Sequence, residues 1–293
     1  MSDLLPQELR ILLAVAETGG FSAAAAALGH TQSAVSHSVR GSEAKLGTVL
    51  FERGRTGASP TRAGERAVAH ARRILRLYEV MGAEVRGAGR GGGRDTVEGV
   101  LRIAAFRSAA LHLLPPALER LAARHPGIRP EVRVVREIGA GAAGEVAEGR
   151  ADLGIATLGS PEGAPPGLLS GVLAEEAYRL VHPAGHPDPK ALPLMDWDEN
   201  CGSYTRSWWR SQDWIPRATV KAEDDAMVLT MVGRGLGMAI MPELSLREAT
   251  EAVDITDLGP RGPVRQVGYV TTPESASTLA VRALIRELRS TKA

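Results

Sequence analysis

The sequence predicts a chain of two fold classes: an all-α domain with a winged helix-turn-helix, and a two-lobed α/β domain. Two short helical patterns separated by a glycine lie within residues 20–46, and a basic hairpin pattern follows them. A long helical pattern spans residues 61–87, and from residue 97 short β-prone runs alternate with helical ones. The predicted boundaries are 1–60 for the winged domain, 61–87 for a linker helix, 88–96 for a hinge and 97–293 for the α/β domain.

The first two predicted helices are built from aliphatic and small residues. Helix one covers residues 7–18, and its apolar repeat consists of Leu9, Leu12, Leu13 and Ala16. In helix two, residues 23–27 are all alanine, so a neighbouring helix can approach it closely. Gly29 supplies the permissive backbone of a helix end, and Thr31 is placed to cap the next helix.

The third predicted helix has two contrasting faces. The stripe turned toward the domain core consists of Val35, Val39, Ser42 and Leu46. The opposite face carries Gln32, Ser33, Ser36, His37 and Arg40. These side chains reach base edges and phosphates, and no carboxylate precedes Glu43, so we predict that this helix and Thr31 contact double-stranded DNA. A generic helical hairpin is the alternative for this stretch taken alone.

A basic hairpin is predicted after the third helix. The β-prone run 48–51, the turn at 54–59 and Pro60 together indicate a wing. Arg53 and Arg55 lie at its edge, where a phosphate or the minor groove is expected. Thr61 and Arg62 begin the long helix and are predicted to touch phosphate as well. The alternative is a solvated loop that happens to be basic.

The charge distribution separates the two halves of the chain. Residues 1–90 contain 12 Lys and Arg against 8 Asp and Glu, a net charge of +4, whereas the remainder has a net charge of −3. A basic module on a mildly acidic body is the asymmetry expected when one module binds phosphates. The overall composition, 44% hydrophobic and 24% charged, is that of a soluble globular protein.

The linker helix carries a narrow apolar stripe that suits an antiparallel pairing with a second copy. Its members are Ala67, Ala71, Ile74, Leu75, Tyr78 and Met81. We therefore predict a homodimer. The glycine-rich segment 87–94 after this helix indicates a hinge, because such a backbone cannot hold one conformation. A phosphate-binding loop is the alternative, but its Gly-Lys-Ser/Thr ending and preceding strand are missing.

The alternating pattern of the second half predicts an α/β domain with a largely parallel sheet. Strands are predicted at 100–106, 132–135, 153–157, within 173–182, at 236–241 and at 264–271. Helices are predicted at 111–124, 142–148, 204–211, 225–232 and 277–289. We assign lobe I to about 97–160 and 266–293, and lobe II to about 161–265. A weak sequence similarity between residues 149–156 and 233–240 supports two similar lobes.

A cleft between the two lobes is the predicted site for a small-molecule effector. Ligands in α/β folds bind where strands end and helices begin. Those positions are occupied here by Arg107, Ser108, Ser203, Tyr204, Thr205 and Arg206. Free backbone N–H groups, hydroxyls and arginines favour an anion. The alternative for Ser108 and Ser203 is that they are simple helix caps.

Aromatic and sulfur-containing residues give weaker indications. The four tryptophans are Trp197, Trp208, Trp209 and Trp214. One interpretation is that they help to bind an aromatic or acidic effector, although clustered tryptophans more often pack inside a core. The single Cys201 excludes an internal disulfide, fits a reducing cytosol and is expected to be inert. No nucleophile motif, metal-ligand spacing or acid–base pair is visible, so neither an enzyme nor a cofactor is predicted.

Several motifs together resemble the LysR-type transcriptional regulators. The residues that carry the resemblance are Leu9-Arg10, Ala14 to Glu17, Gly20 to Ser22, Thr31 to Ser36, Leu50 to Arg53 and Pro60 to Gly64. Ser33 and His37 stand where the family usually has proline and arginine. The resemblance implies a winged helix-turn-helix that binds DNA, a periplasmic-binding-protein-like effector domain and a homotetramer. RNA polymerase is a further candidate partner.

The sequence therefore predicts a cytoplasmic, sequence-specific regulator of transcription that responds to a small molecule. No run approaches the ~20 apolar residues of a membrane span, and no export signal is visible. One alternative is an α/β enzyme with an accessory helical domain, but the sequence shows no set of residues arranged for catalysis. The other is a solute-binding module like the periplasmic binders, which does not account for the basic N-terminal domain.

Overall fold

The computed structural model describes residues 3–54, 57–89, 98–159, 165–199, 208–209, 211–247 and 249–290. The chain divides into two compact units. The first unit comprises Met1–Thr96 and Ala147–Arg150, and the second comprises Val97–Val146 and Ala151–Ala293. None of the helices in the described ranges combines the length and the apolar character needed to cross a membrane.

The described part of the first unit consists of four helices and a two-stranded hairpin. Its elements are α1 (Pro6–Thr18), α2 (Phe21–Leu28), α3 (Gln32–Leu46), β1 (Phe51–Gly54), β2 (Gly57–Pro60) and α4 (Arg62–Gly89). The first three helices end at Gly19, Gly29 and Gly47, whose φ angles of 70°, 66° and 70° suit glycine. The helices therefore end close to where the glycines in the sequence predict.

The core of this unit lies between α1, α2 and α3, with the hairpin closing one side. Its fully buried members include Leu12, Val15, Ala24, Val35 and Val39. The alanines of α2 permit this close packing, as predicted. The predicted inner stripe of α3 is wrong at one position, because Leu46 is 39% exposed at the end of the helix.

The second unit contains nine strands, β3 to β11, and seven helices, α5 to α11, among its described residues. Its strands are β3 (Gly99–Ala105), β4 (Ile128–Val134), β5 (Leu153–Leu158), β6 (Leu169–Pro183), β7 (Leu194–Trp197), β8 (Ala218–Ala222), β9 (Ala239–Pro242), β10 (Val253–Asp257) and β11 (Val264–Thr271). Its helices are α5 (Arg107–His112), α6 (Leu114–Arg124), α7 (Gly141–Ala147), α8 (Asp225–Gly233), α9 (Glu243–Leu246), α10 (Pro273–Ser277) and α11 (Leu279–Arg289).

The main sheet of the second unit has the strand order β10-β6-β11-β5-β3-β4, with β9 also pairing with β6. Among the described strands of this sheet, only β3 with β4 and β3 with β5 are parallel, and the other four pairings are antiparallel. The prediction of a largely parallel sheet is therefore wrong. Two strands account for this result: the 15-residue strand β6 runs antiparallel to all of its neighbours, and β11 also pairs antiparallel with β5.

Strand β6 joins two groups of strands, and each group has its own core. Its first half pairs with β11, while its second half pairs with β9 and β10. One core packs α6 and α11 against β3 and β5 and includes Leu101, Ile103, Leu121, Ile155 and Leu284. The other packs α8 against β7 and β9 and includes Val181, Met195, Val228, Val232 and Met241. These two packed groups are the parts of the unit that flank the cleft.

Several predicted elements differ from the structure in extent. The predicted helix 111–124 is divided into α5 and α6, and the predicted strand 236–241 begins only at Ala239. Strands β7, β8 and β10 were not predicted. Most of the predicted helix 204–211 and most of the predicted hinge 88–96 lie outside the described residues, although Trp208 and Trp209 are helical.

Candidate nucleic-acid interface and effector cleft

The face of α3 that is predicted to contact DNA is exposed at four of its positions and has no carboxylate. Gln32, Ser33, His37 and Arg40 are all solvent-exposed. Thr31 accepts a hydrogen bond from the Ala34 N–H at 3.2 Å, so it caps the helix as predicted. The N-terminal turns of α3 therefore present donors and acceptors to solvent.

Ser36 does not belong to this exposed face, so its predicted orientation is wrong. It is only 6% exposed, and its hydroxyl accepts a hydrogen bond from Nη2 of Arg53 at 2.9 Å. The guanidinium carbon of Arg53 also lies 4.4 Å from the centre of the Phe21 ring. Arg53 therefore connects the wing to both helices of the helix-turn-helix, although its side chain stays exposed at the edge.

Glu43 fixes the start of the wing, a role that the sequence did not reveal. Its Oε1 accepts hydrogen bonds from the N–H groups of Leu50 at 2.8 Å and Phe51 at 3.3 Å. On the other strand, the Ala58 N–H donates to the Gly19 carbonyl at 2.7 Å. Both strands of the wing are thus tied to the helices by backbone groups, which holds the basic edge in place.

Thr61 connects the wing to α4 through two hydrogen bonds of its hydroxyl. Its Oγ1 accepts from the Gly64 N–H at 3.0 Å and donates to the Val49 carbonyl at 2.9 Å. Thr61 therefore caps the start of α4, and Arg62 beside it is exposed. Arg55 lies outside the described residues.

Helix α4 exposes a stripe of large apolar side chains. Ile74, Tyr78, Met81 and Val85 are 43%, 48%, 56% and 66% exposed. Their spacing of four, three and four residues is that of a helix-pairing seam. The stripe differs from the predicted one in that Ala71 is buried and Leu75 is only half-buried.

The predicted effector residues that are described lie in a cleft between the two packed groups. The cleft has a cavity volume of about 20 Å³ and is lined by Phe106, Arg107, Ser108, Glu137, Trp197, Glu199, Asp225, Pro242, Ser245 and Arg265. Phe106 rather than Ser108 is the N-cap of α5, so the alternative of Ser108 as a simple cap is wrong. Ser203, Tyr204, Thr205, Arg206 and Cys201 lie outside the described residues.

Ion pairs cross or flank this cleft. Arg107 binds Asp225 at 3.0 Å, and Asp225 also accepts from the Ser245 hydroxyl at 2.5 Å. Arg136 binds Glu199 at 2.9 Å, and that pairing raises the pKa of the Arg136 guanidinium. Sequence reasoning found Arg107 but missed these partners, because they come from distant parts of the chain.

Glu137 and Arg265 complete the charged wall. Arg265 binds the buried Glu176 at 2.5 Å and lies over the Phe106 ring. Glu137 accepts hydrogen bonds from the N–H groups of Ala142 at 3.2 Å and Thr157 at 2.8 Å. Burial raises the pKa of the Glu137 carboxyl despite these bonds.

The tryptophans divide between packing and the cleft. Trp208, Trp209 and Trp214 pack against a core that contains Tyr178. Trp197 is 4% exposed and lines the cleft. Trp197 is also a member of the core that contains Val181 and Val228, so the packing alternative describes all four rings.

Comparison with known proteins places both units in one family. Residues 6–65 match the model for the bacterial regulatory helix-turn-helix protein, lysR family, and residues 94–293 match the model for the LysR substrate binding domain. The chain is 35% identical over 249 residues to a probable HTH-type transcriptional regulator, LrrA of Synechococcus elongatus, with 81% of each chain covered.

Solved structures show the same fold. Full-length CbnR complexed with its target DNA superposes with a TM-score of 0.66 at 21% identity, covering 98% of this chain and 100% of CbnR. Full-length LysG of Corynebacterium glutamicum with bound effector Arg gives a TM-score of 0.67 at 22% identity, covering 98% of this chain and 99% of LysG.

The fold and the family matches define a DNA-binding transcriptional regulator with a substrate-binding domain. The chain belongs to the LysR family. The predicted fold class, family and general function are thereby confirmed.

Proposed function

We propose that the exposed face of α3 binds the major groove of double-stranded DNA. Gln32, Ser33 and His37 would contact base edges, and Arg40 would contact a phosphate. The observation that carries this proposal is a solvent-exposed helix face of donors and acceptors without an exposed carboxylate. CbnR, which has this fold, is complexed with its target DNA.

The wing is proposed to bind the DNA backbone beside this helix. The proposed phosphate contacts come from the exposed Arg53 and Arg62, from Thr61 at the start of α4, and from Arg55, which the sequence places in the turn of the hairpin. The hydrogen bonds of Glu43 and Arg53 support this role, because they hold the wing against the recognition helix. Arg53 then contributes both to the packing of the wing and to the phosphate contact.

A small molecule in the cleft is proposed to control the regulator. LysG, which has this fold, is solved with bound effector Arg. An effector changes the balance between two arrangements only through its different affinity for them. The exposed stripe of α4 supports a homodimer, and two such dimers would form the homotetramer on paired half-sites. RNA polymerase is the proposed partner in transcription, and the cytoplasm the proposed location, with no catalytic activity.

Gln32 provides the test of base recognition. Gln32→Ala is expected to relax the preferred base at one position in each half-site, because a bidentate side-chain contact discriminates by about 1–3 kcal/mol. A binding-site selection with purified full-length protein measures this. An unchanged consensus would argue against α3 as the recognition helix.

Arg40 provides the test of phosphate binding. Arg40→Ala is expected to weaken binding to all sequences and to reduce the slope of log affinity against log salt by about 0.9. Titrations of a fixed duplex at several salt concentrations measure the slope. Arg129→Ala, at an exposed arginine on β4 of the second unit, is the matched control and should leave the slope unchanged. Equal slopes for the two variants would exclude a phosphate contact by Arg40.

A further inference from the structure

We propose that the exposed face of α11 binds an acidic, partly apolar segment of a partner protein. This arginine face lines one concave region of about 480 Å³ and consists of Arg282, Ile285, Arg286, Arg289 and Ser290. None of these residues belongs to the proposed DNA interface or lines the effector cleft. The inference therefore goes beyond the proposed function and does not depend on it.

The arginine face results from the helical spacing of the sequence. Arg282, Arg286 and Arg289 follow one another at intervals of four and three residues, so their side chains project from the same side of α11. With a rise of 1.5 Å per residue, they cover about 10 Å along the helix axis. The opposite side of the helix is buried in the core by Val281, Leu284 and Leu288. The core therefore fixes α11 in an orientation that presents all three arginines to solvent.

Little negative charge opposes these arginines. Among the described residues, no ion pair involves the side chain of Arg282 or Arg286. Glu287 is the single carboxylate of α11, but it is fully buried and binds Arg124 of α6 at 2.7 Å. Helices α6 and α11 together contain five arginines and two glutamates, whereas residues 91–293 as a whole have a net charge of −3. The two helices are therefore a basic region on an otherwise acidic body.

Stabilisation of the helix dipole accounts for only part of this pattern. Arg286 and Arg289 lie in the last turn, where a cation interacts favourably with the C-terminal end of a helix. Arg282 is the fourth residue of α11, near the end where the dipole favours anions instead. An acidic partner gives a reason for Arg282 that the stability of the helix does not.

Arg289 is already oriented for binding a carboxylate. Its Nη2 donates to the hydroxyl oxygen of Tyr269 at 2.8 Å, and its guanidinium carbon lies 5.5 Å from the centre of the Tyr269 ring. A guanidinium has five N–H donors, so the group keeps donors for a second acceptor. Because these contacts order the side chain, less conformational entropy is lost when a partner binds.

The apolar part of the arginine face identifies the class of partner. Ile285 is only half-buried and lines the same concave region as the arginines, where it can contact an apolar side chain. The backbone of DNA offers phosphates and sugars to arginines but no aliphatic side chain. An amphipathic protein segment offers both carboxylates for the guanidinium groups and an apolar anchor. The observations therefore favour an acidic protein segment over DNA.

The probe for this surface is a fluorescein-labelled helical peptide with glutamates at intervals of four and three residues and a leucine between them. Fluorescence anisotropy follows its binding to the full-length protein. Combining Arg282→Glu with Arg286→Glu should weaken binding by about tenfold, because two attractive charge pairs become repulsive. The matched control combines Arg217→Glu with Arg261→Glu, which changes the net charge equally at exposed positions outside α11 and should leave binding unchanged. Equal losses in the two double variants, or no binding by the original protein at about 1 mM peptide, would overturn the inference.

Changes in the probe separate a protein partner from other causes. A peptide with glutamines in place of the glutamates should lose binding to the original protein, which tests the charge even if the α11 variant fails to fold. Equal affinity for this neutral peptide would contradict the inference. A peptide with serine in place of the leucine should bind more weakly, because Ile285 then loses its apolar contact.

A short DNA duplex of unrelated sequence is the remaining comparison. It should bind the α11 double variant and the control double variant equally, because both carry the same net charge. A loss of duplex binding confined to the α11 variant would overturn the inference and assign the arginine face to DNA.

Discussion

Replacing Gly64 with alanine is expected to disrupt the first unit and abolish DNA binding. A Cβ at Gly64 would lie 1.9 Å from the carbonyl oxygen and 2.9 Å from the carbonyl carbon of Leu50. Both are backbone atoms, and the same oxygen accepts the Thr61 N–H at 2.9 Å. The start of α4 and the start of the wing would therefore have to separate. Overpacking typically costs about 1–3 kcal/mol, and a contact this short lies at the upper end.

Gly41 supplies the matched control for this experiment. It lies inside α3, and a Cβ there would meet no atom within 4 Å. Gly41→Ala should therefore stabilise the helix, by up to about 1 kcal/mol. Chemical denaturation and gel-shift titration of both variants measure the two effects. If Gly64→Ala bound DNA as tightly as Gly41→Ala, the close contact between the wing and α4 would not matter for function.

The helices of the first unit were predictable from sequence because their signals are local. Glycines with positive φ end α1, α2 and α3, and Thr31 caps α3 through its own hydroxyl. The predicted start of α1 differs from the observed one by a single residue. Where a boundary depends on residues a few positions apart, the sequence contains what is needed to place it.

The sheet of the second unit was less predictable because its pairings are non-local. Strand β11 was predicted correctly at Val264–Thr271, yet nothing near it in the chain indicates that it lies between β5 and β6. Strand β10 carries polar residues at an edge, so it lacks the apolar run that marks a buried strand. Strand order therefore had to come from the structure.

In the candidate sites too, residues placed by local spacing were predictable, whereas partners from distant parts of the chain were not. Gln32, His37 and Arg40 follow from helical spacing alone, whereas Ser36 is covered by Arg53 from the wing. Arg107 follows from its place after a strand, but its partner Asp225 is 118 residues away in sequence. The charge that a ligand meets in the cleft depends on such pairs, which the sequence alone does not reveal.

Replacing Met81 with aspartate is expected to dissociate the proposed dimer. Met81 is 56% exposed in the middle of the stripe formed with Ile74, Tyr78 and Val85. In a paired-helix seam, an aspartate would bury an unpaired carboxylate against apolar side chains of the second copy. The measurable result is a lower mass in sedimentation velocity, together with loss of tight binding to paired half-sites. The isolated chain should keep its fold, because Met81 is not part of the core of the first unit.

Met81→Leu is the control that separates pairing from helix stability. Leucine keeps the apolar surface and has nearly the same helix propensity as methionine, so this variant should remain a dimer. Aspartate lowers helix propensity by no more than about 0.7 kcal/mol, and circular dichroism would detect any melting of α4. A Met81→Asp protein that sediments as a dimer with unchanged helicity would show that the exposed stripe of α4 does not form the seam. The pairing surface would then have to be sought elsewhere on the chain.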